Sequence, residues 1–288
     1  MRKSLIGLLA AASLGLAACG GGSSGSDSAA EVAAGGGNEC TAGATLEAGK
    51  LTIGTGAPAY SPWVENDAPE SGEGFEAAVA YAVAEQMGFA KENVVWVRTT
   101  FDEAIQPGAK NFDFNLQQYS ITDERKETVS FSDSYYTTNQ AMVAYADSAV
   151  ASMTTLAELA GVKFGVQSGT TSLDFVTNVI APTTEPYVYD DNAAAKAALE
   201  AKQIDAIVVD LPTALYISAV EIEGTKVVGQ FPAEAGGTTD EFGMVFDLEN
   251  PLVDCVNTAL AQIRQVGTLD AIEQQWLSDN ISAPVISE

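Results

Sequence analysis

The chain has 288 residues, 47% of them hydrophobic, a composition typical of a globular protein with one large domain or two lobes, and it excludes a mostly disordered protein. Its 39 acidic residues outnumber 13 Lys plus Arg, for a formal net charge of −26, which argues against binding nucleic acid or lying flat on an anionic membrane. The sequence has no His, which excludes Ser-His-Asp and Cys-His catalysis and removes the commonest zinc ligand.

The N-terminus predicts a secretory signal peptide over residues 1–18. Two basic residues, Arg2 and Lys3, precede the apolar run "LIGLLAAASLGLA", which is too short for a membrane span. The stretch "LAAC" at 16–19 resembles the lipobox of bacterial lipoproteins, and this resemblance implies cleavage before Cys19 and lipid on that cysteine. Residues 19–44 then form a linker. The Gly/Ser/Ala-rich part predicts a flexible tether, and a disordered terminus without a role fits the same composition.

Two further cysteines, Cys40 and Cys255, predict a disulfide, because a cysteine pair outside the cytoplasm is more often oxidised than metal-bound. Two free buried thiols are the alternative. We expect no metal site and no cofactor, since no metal-binding spacing is present. The segment "GTGAPAYS" lacks both the spacing and the following helix of a phosphate-binding loop.

Strand and helix patterns alternate through the first half of the folded part. A helix is predicted over 75–88, where Phe75, Val79, Val83 and Met87 share one face and Gly88 ends it. Thr122 is placed to cap a second helix through "TDERKETV". Strands are predicted at "KLTIGT" (50–55), "NVVWVR" (93–98) and "FDFNLQ" (112–117).

The pattern restarts near residues 141–160, which predicts a second lobe. Predicted strands are "GVKFGVQ" (161–167), "IDAIVVD" (204–210), "TKVVGQF" (225–231) and "FGMVFDL" (242–248). Predicted helices follow "SGTT" (168–171), cover 193–203, start at Pro212, run from Asn250 to about Gln265, and extend from a Thr268 cap to about Trp276. Alternation of this kind predicts an α/β protein with largely parallel sheets.

Arg125 is a candidate for binding an anion. It follows the predicted strand "FDFNLQ", and ligands of open α/β sheets bind beyond the carboxyl ends of strands. A cation in the first turn of a helix opposes the helix dipole, so helix stability does not explain it. A guanidinium fits a carboxylate with two parallel hydrogen bonds. An ordinary exposed arginine is the alternative.

Two more polar groups stand at strand ends. Free N–H groups at "SGTT", with the hydroxyls of Thr170 and Thr171, can hold an anion, or the stretch is a plain helix cap. Asp210 ends the apolar strand "AIVV", where its carboxylate can hold an ammonium or cap the next helix. Together with Arg125, these groups predict a receptor for a zwitterion.

Aromatic residues are candidates for the walls of that pocket. A few polar anchors in an aromatic cleft are typical of small-molecule sites. Tyr60, Trp63 and Phe75 lie near the first predicted strand and helix and could form such walls. For each of them, packing in the core is the alternative.

The quoted motifs together resemble the polar amino-acid-binding proteins of ABC importers, the bacterial extracellular solute-binding proteins of family 3. The resemblance covers about residues 48–282 and is carried by "SITDERKETVSFSDSYY", "VQSGTTSLDF", "IDAIVVDLPTALY" and "GTLDAIEQQWL". It implies the type II periplasmic-binding-protein fold, two α/β lobes joined by a hinge of two crossovers. Lobe 1 would hold 45–141 and 243–288, and lobe 2 would hold 142–242. The crossovers would lie near 141–145 and 241–245.

The same resemblance implies roles for individual residues. Arg125 would clamp the ligand α-carboxylate, helped by Ser120 and by Thr170 or Thr171. Asp210 would take the α-ammonium, with the Gln118 carbonyl as a second acceptor. The aromatic that stacks on the ligand side chain would be Tyr60, and Trp63 is the other aromatic assigned to the site.

Departures from the family pattern bear on the ligand side chain. Gly56 and Ala57 stand where relatives often carry an acidic residue, which weakens the case for a basic ligand. Gln167 stands where some relatives place a lysine that touches the side chain, and an apolar Val209 precedes Asp210. No second cation falls in the matched motifs, which disfavours glutamate or aspartate. The sequence therefore favours an uncharged polar amino acid such as glutamine.

The expected function is that of a monomeric, lipid-anchored, extracytoplasmic receptor that delivers an amino acid to a membrane permease without chemistry. An enzyme similar to periplasmic dehydratases of prephenate-like acids is the alternative, since those share the fold and need a general acid in the cleft. Glu65, Glu73 and Glu76 are its candidate acids, and a solvated face is the other reading of them. A signalling sensor domain is a third possibility.

Overall fold

A computed structural model of the chain describes residues 37–277 and 283–287. The predicted signal peptide, Cys19 and most of the predicted linker lie outside the described residues. Among residues 37–277 and 283–287, no helix is long and apolar enough to cross a lipid bilayer.

Strands and helices alternate along most of the described chain. The strands are β1 Leu51–Gly56, β2 Val94–Thr99, β3 Phe114–Asn115, β4 Ser130–Phe131, β5 Tyr136–Tyr145, β6 Phe164–Gln167, β7 Tyr187–Tyr189, β8 Ala206–Asp210, β9 Thr225–Phe231, β10 Thr239–Phe242 and β11 Val245–Phe246. The helices are α1 Phe75–Gln86, α2 Phe101–Ile105, α3 Thr171–Phe175, α4 Asn192–Glu200, α5 Leu211–Tyr216, α6 Leu252–Gln265 and α7 Thr268–Trp276.

These strands form two mixed sheets, which define two lobes. The first sheet has the order β2-β1-β3-β11-β4, with β1 parallel to β2 and β3, and with β11 antiparallel to its neighbours. The second has the order β10-β5-β8-β6-β7, with β9 also paired to β5. Within it β6 is parallel to β7 and β8, whereas β5 is antiparallel to β8, β9 and β10. The predicted type II binding-protein fold is confirmed, but the sheets are mixed rather than largely parallel as the sequence predicted.

In the main apolar core of the first lobe, α1 packs between the sheet and the C-terminal helices. The four residues predicted to share a face of α1, Phe75, Val79, Val83 and Met87, are all buried there. Gly88 adopts φ +86, a left-handed conformation suited to a residue that follows a helix, and it ends α1 as predicted. The second sheet is covered on both faces by separate apolar clusters.

Two passages connect the lobes, and the first lies earlier than expected. The chain leaves the first sheet after Phe131 and enters the second at Tyr136. All of β5 belongs to the second sheet because it pairs along its length with β8, β9 and β10, whereas the sequence put this crossover near 141–145. The return passage lies between Phe242 and Val245, within the expected range. Residues 283–287 lie against the second lobe, where Ile286 is buried, rather than in lobe 1.

Several predicted elements are shorter in the structure, and three of them differ most. The segments "FDFNLQ" and "FGMVFDL" form strands only at Phe114–Asn115 and Val245–Phe246. The helix through "TDERKETV" is only a 3₁₀ turn, Arg125–Glu127. Thr122 does accept a hydrogen bond from the Arg125 N–H, at 3.2 Å, but the segment has no apolar stripe that packing could extend into a longer helix.

A disulfide joins Cys40 to Cys255 in the structure, with the two Cα atoms 5.8 Å apart. Cys40 belongs to a short turn at the start of the described chain, and Cys255 lies in α6. The bond therefore ties the N-terminal segment to the first lobe.

Candidate functional site

A cleft between the lobes is lined by residues of both. Its volume is about 150 Å³. The first lobe contributes the start of the β1–α1 loop, the start of α2 and the segment after β3, namely Ala57, Pro58, Tyr60, Thr100, Phe101, Gln117, Gln118, Ser120 and Arg125. The second lobe contributes strand ends and helix starts, together with parts of β5 and β10, namely Gln140, Gln167, Thr170, Thr171, Ser172, Asp190, Asp191, Asn192, Val209, Asp210 and Phe242.

Arg125 is buried at one end of this cleft, with 9% of its surface exposed. Its Nη1 donates to the Ser120 carbonyl at 2.7 Å, and its Nη2 donates across the cleft to the Gly169 carbonyl at 2.9 Å. The Phe101 ring lies 5.5 Å from its Cζ, and burial lowers the pKa of the guanidinium. None of the salt bridges in the described chain involves Arg125. The side chain is therefore a buried cation with backbone partners but no carboxylate, and buried charges generally require a counter-ion.

Hydroxyl groups surround the same end. Ser120 Oγ lies 3.2 Å from Thr171 Oγ1, so the two lobes meet there. Thr170 caps α3, because its Oγ1 accepts from the Leu173 N–H, at 3.2 Å, and the same hydroxyl donates to the Gln167 carbonyl. The helix-cap alternative therefore describes Thr170, whereas Thr171 keeps its hydroxyl toward Ser120.

Gly169 brings the second-lobe backbone close to Arg125. It adopts φ +68, and a Cβ at this position would lie 2.5 Å from Asp102 Oδ1 of the first lobe. A larger residue would be strained by this positive φ and would displace the Asp102 carboxylate, so glycine is favoured where the guanidinium bonds to the residue-169 carbonyl.

Asp210 lies on the second lobe, where β8 ends and α5 begins. Its Oδ1 accepts from the Thr213 N–H at 2.9 Å, and its Oδ2 accepts from Thr213 Oγ1 at 2.8 Å. Burial raises the pKa of the Asp210 carboxyl to about 6, while the two bonds from Thr213 oppose that rise. Asp210 therefore caps α5, which was one of the two roles predicted from the sequence. It also lines the cleft, and at neutral pH its carboxyl is mostly ionised and can accept hydrogen bonds there.

A buried carboxylate lies behind Gln118. Glu76, in the first turn of α1 and 1% exposed, accepts from the Gln118 N–H at 2.7 Å. It also accepts from the Gln118 side-chain amide and from the Tyr135 hydroxyl. Gln118 has φ +51, an unusual conformation for a residue other than glycine, and these bonds hold it there. Burial raises the pKa of Glu76 to about 7.

The other two candidate acids are remote from the cleft walls. Glu65 accepts a hydrogen bond from the Ser61 hydroxyl at 3.0 Å, and Glu73 is exposed. Neither of them, nor Glu76, is among the residues that line the cleft.

Only one of the three candidate aromatics lines the cleft. Tyr60 does, with the Lys196 ammonium 5.0 Å from its ring centroid, and burial raises the pKa of its hydroxyl to about 12. Trp63 and Phe75 are fully buried, which corrects their placement in the cleft wall. Trp63 packs edge-on against three rings at 5.7–5.8 Å, those of Phe75, Tyr136 and Phe242. Phe101, which the sequence did not single out, takes part in the wall instead.

Two acidic residues in the cleft were also missed. Asp190 and Asp191 follow β7, and Asp191 caps α4 by accepting from the Ala194 N–H at 2.8 Å. The signal was present, since "YDDN" lies at the carboxyl end of a strand, but β7 is short and was not predicted. The uncharged residues noted in the sequence, Ala57, Gln167 and Val209, do line the cleft.

Gln140 on β5 organises the second-lobe wall. Its side-chain nitrogen donates to Asp240 at 2.7 Å and to Thr171 Oγ1 at 3.3 Å, while its oxygen accepts from Ser172 Oγ at 2.6 Å. The residue is 2% exposed, so this network is shielded from bulk water. No sequence pattern predicts this network, because its four members come from three separate segments.

Comparison with known proteins places this cleft in context. The sequence model of bacterial extracellular solute-binding proteins, family 3, matches residues 51–279. The arginine-binding periplasmic protein of Mannheimia haemolytica is 30% identical over 227 residues, which are 76% of this chain and 88% of that protein. The arginine-binding extracellular protein ArtP of Bacillus subtilis is 27% identical over 283 residues, covering 96% and 99% of the two chains. A solved structure described as an ancestral arginine-binding protein bound to glutamine is similar with a TM-score of 0.67 and 29% identity, covering 80% of this chain and 98% of that one.

Proposed function

Because the chain belongs to the bacterial extracellular solute-binding proteins of family 3, we propose that it captures a polar α-amino acid in the interlobe cleft for an ABC importer. It is an amino-acid-binding component of such an importer rather than an enzyme. Its relatives include the ABC transporter arginine-binding protein 1 of Escherichia coli and the ABC transporter glutamine-binding protein GlnH of Bacillus subtilis. The dehydratase alternative is therefore set aside.

The observation that carries the assignment of the site is the buried guanidinium of Arg125. In a chain with a net charge of −26, this cation faces the cleft without a carboxylate partner in the described residues. Two of its N–H groups bond to backbone carbonyls, and a guanidinium has five. We propose that the α-carboxylate of the ligand supplies the counter-ion, with Ser120 and Thr171 as further donors.

The α-ammonium of the ligand would then bind at Asp210. Its carboxylate lines the cleft on the second lobe, and the Gln118 backbone, fixed by Glu76, lines it on the first. Carboxylate and carbonyl oxygens are acceptors only, so they match the three donors of an ammonium. A zwitterion would thus bridge the two lobes.

Two side-chain classes fit the rest of the cleft. An uncharged polar side chain such as that of glutamine is favoured by Gln117 and Gln167, whose amides line the cleft and can exchange hydrogen bonds with it. Ala57, which also lines the cleft, offers no carboxylate to a cationic side chain. A cationic side chain such as that of arginine is favoured by Asp190 and Asp191, which line the cleft without a salt bridge in the described chain. Anionic side chains are disfavoured by both acids.

We further propose that the receptor is tethered to the outer face of the membrane through lipid on Cys19 and hands its ligand to a permease. The support is the "LAAC" motif followed by a Gly/Ser-rich stretch. Substitution Cys19→Ser should move the protein from the membrane fraction to the soluble fraction of the producing cell. An unchanged distribution would refute the anchor and leave the binding function intact.

Calorimetric titration against the twenty amino acids tests the binding function. Truncating one partner of a buried charge pair costs about 2–5 kcal/mol, so Arg125→Ala should weaken binding of the tightest amino acid by roughly 30- to 4,000-fold. Arg264→Ala is the matched control, because Arg264 is exposed and donates to the Ser134 carbonyl outside the cleft. Binding by Arg125→Ala within threefold of wild type would refute the carboxylate clamp.

The side-chain class is tested by Asp190→Asn. If the ligand is cationic, this change should weaken L-arginine binding by about 3- to 10-fold and leave L-glutamine unchanged, because partly exposed charge pairs contribute about 1 kcal/mol. If wild type binds L-glutamine more tightly and Asp190→Asn affects neither ligand, the uncharged class stands.

A further inference from the structure

Three groups from both lobes form a chain of hydrogen bonds that ends at the cleft. Trp63 Nε1 donates to Thr213 Oγ1 at 2.8 Å, and Thr213 Oγ1 lies 2.8 Å from Asp210 Oδ2. Trp63 belongs to the first lobe, whereas Thr213 and Asp210 belong to α5 and β8 of the second. The sequence analysis predicted that Trp63 lies beside the ligand. In the structure Trp63 is instead connected to the site indirectly, by its hydrogen bond to Thr213.

The chemistry of these groups fixes the direction of every proton. An indole N–H only donates, so Thr213 Oγ1 must accept from Trp63. The one hydrogen on Thr213 Oγ1 is then free to point at Asp210 Oδ2, which at neutral pH only accepts. The Thr213 backbone N–H holds the other oxygen, Oδ1, at 2.9 Å. Each bond in such a chain polarises the next, and a hydrogen bond to a carboxylate favours its ionised form.

Packing makes Trp63 a rigid donor. The side chain is 0% exposed and is held edge-on between Phe75, Tyr136 and Phe242. Thr213 is 7% exposed. The indole is therefore fixed between Phe75 of the first lobe and the rings of Tyr136 and Phe242 on β5 and β10, and its bond to Thr213 joins the first lobe to α5 of the second.

We propose that Trp63 is a positioning residue for the ammonium acceptor: through Thr213 it holds the Asp210 carboxylate oriented and ionised when the lobes meet. Contact between the lobes would thereby increase the affinity of Asp210 for the α-ammonium of the ligand. This inference rests on the proposed function, because it takes Asp210 as the ammonium site.

A purely structural role gives a different expectation. A buried indole N–H needs a partner wherever it lies, so Trp63 and Thr213 could serve only the stability of the closed lobes. In that case, loss of the bond would weaken every ligand alike. A positioning role weakens ligands that carry an α-ammonium more than ligands that lack it.

The experiment compares L-arginine and L-glutamine with their desamino analogues, 5-guanidinopentanoic acid and 4-carbamoylbutanoic acid, by calorimetry on the full mature chain. Trp63→Phe removes the donor and keeps an aromatic ring, and Thr213→Val removes the relay hydroxyl at nearly constant size. Trp96→Phe is the control, because Trp96 Nε1 donates to the Tyr81 hydroxyl at 3.0 Å outside the cleft.

We expect Trp63→Phe and Thr213→Val each to weaken the tighter-binding amino acid by about 3- to 30-fold. This is about 0.7–2 kcal/mol, which spans the loss of a neutral hydrogen bond and of a weak one to a charged group. The desamino analogue should be weakened at least threefold less than the amino acid. The double variant should bind no worse than Thr213→Val, since both changes break one chain. Trp96→Phe should change neither ligand. If Trp63→Phe does not fold, Thr213→Val alone decides the question.

Equal weakening of the amino acid and its analogue, or no weakening of either, would overturn the positioning role. Asp210→Asn separates this failure from failure of the proposed function. If Asp210→Asn removes the preference for the amino acid over its analogue while Thr213→Val does not, only the role of Trp63 is refuted. If Asp210→Asn leaves that preference intact, the ammonium site itself is refuted, and the role of Trp63 falls with it.

Discussion

The buried carboxylate of Glu76 should make the stability of the protein depend on pH, and this dependence can be measured. Its oxygens accept from the Gln118 backbone, the Gln118 side chain and the Tyr135 hydroxyl, with no cation among these partners. Substitution Glu76→Gln keeps the shape and removes the charge. Its side-chain oxygen can still accept two of the bonds, and the Gln118 amide can turn to meet the new NH₂ group.

The magnitude follows from the pKa of Glu76, which burial raises from 4.5 to about 7 in the folded protein. Between these two values the folded state holds the proton more tightly than the unfolded state. The free energy of unfolding therefore falls as pH rises through this window, and the fall is complete above pH 7. The same relation gives a loss of about 2.5 kcal/mol for the wild type between pH 5 and pH 8.

Urea unfolding at pH 5 and pH 8 measures this loss for wild type and Glu76→Gln. The change in free energy of unfolding between the two pH values should be about 2.5 kcal/mol more negative for wild type, since contributions from other groups cancel in the difference. Glu85→Gln, on the exposed face of the same helix, should match wild type within about 0.5 kcal/mol. A wild-type change equal to that of Glu76→Gln would show that Glu76 is not a buried group with a raised pKa.

Three further predictions follow from other parts of the structure. Because the pKa of Asp210 is about 6 and only its ionised form accepts from an ammonium, amino-acid affinity should fall about tenfold from pH 7 to pH 5 in calorimetry, and Asp210→Asn should lose this dependence. Cys255→Ser, which opens the disulfide to Cys40, should lower the free energy of unfolding in urea by about 2–5 kcal/mol. Ile286→Ala should cost about 2–4 kcal/mol in the same assay because its side chain is 1% exposed, whereas the exposed Val285→Ala should stay within about 0.5 kcal/mol.

Apolar periodicity and capping residues within one segment correctly predicted elements such as α1. The apolar face of α1 and its Gly88 stop are both present, because period and cap lie within one segment. Asp210 and the "SGTT" segment were located by the general position of ligands at the carboxyl ends of strands, and the structure has both in the cleft. The helix predicted through "TDERKETV" came out as a turn, Arg125–Glu127, because that segment lacks an apolar stripe of its own.

The misplaced residues depend on contacts between distant segments. Trp63 reads as a pocket aromatic in the sequence, and only its packing against Tyr136 and Phe242 buries it. Asp190 enters the cleft because the short strand β7 pairs with β6, a pairing of three residues that no pattern in the sequence signals. Side-chain burial and short pairings of this kind are fixed by the tertiary fold, which propensity and periodicity do not contain.

The same distant contacts explain why binding and lobe contact would be linked in the proposed site. Arg125 stands on the first lobe and Asp210 on the second, and each is held in place by a bond that crosses the cleft, from Arg125 to the Gly169 carbonyl and from Trp63 to Thr213. A zwitterion between the two charges would add a further bridge only when the lobes touch. A ligand shifts a conformational equilibrium only by its differential affinity for the two states, and here that difference is the contact with the second lobe. It follows that Asp210→Asn should lower both the affinity and the fraction of protein with the lobes in contact, whereas a change confined to one lobe's outer surface should lower neither.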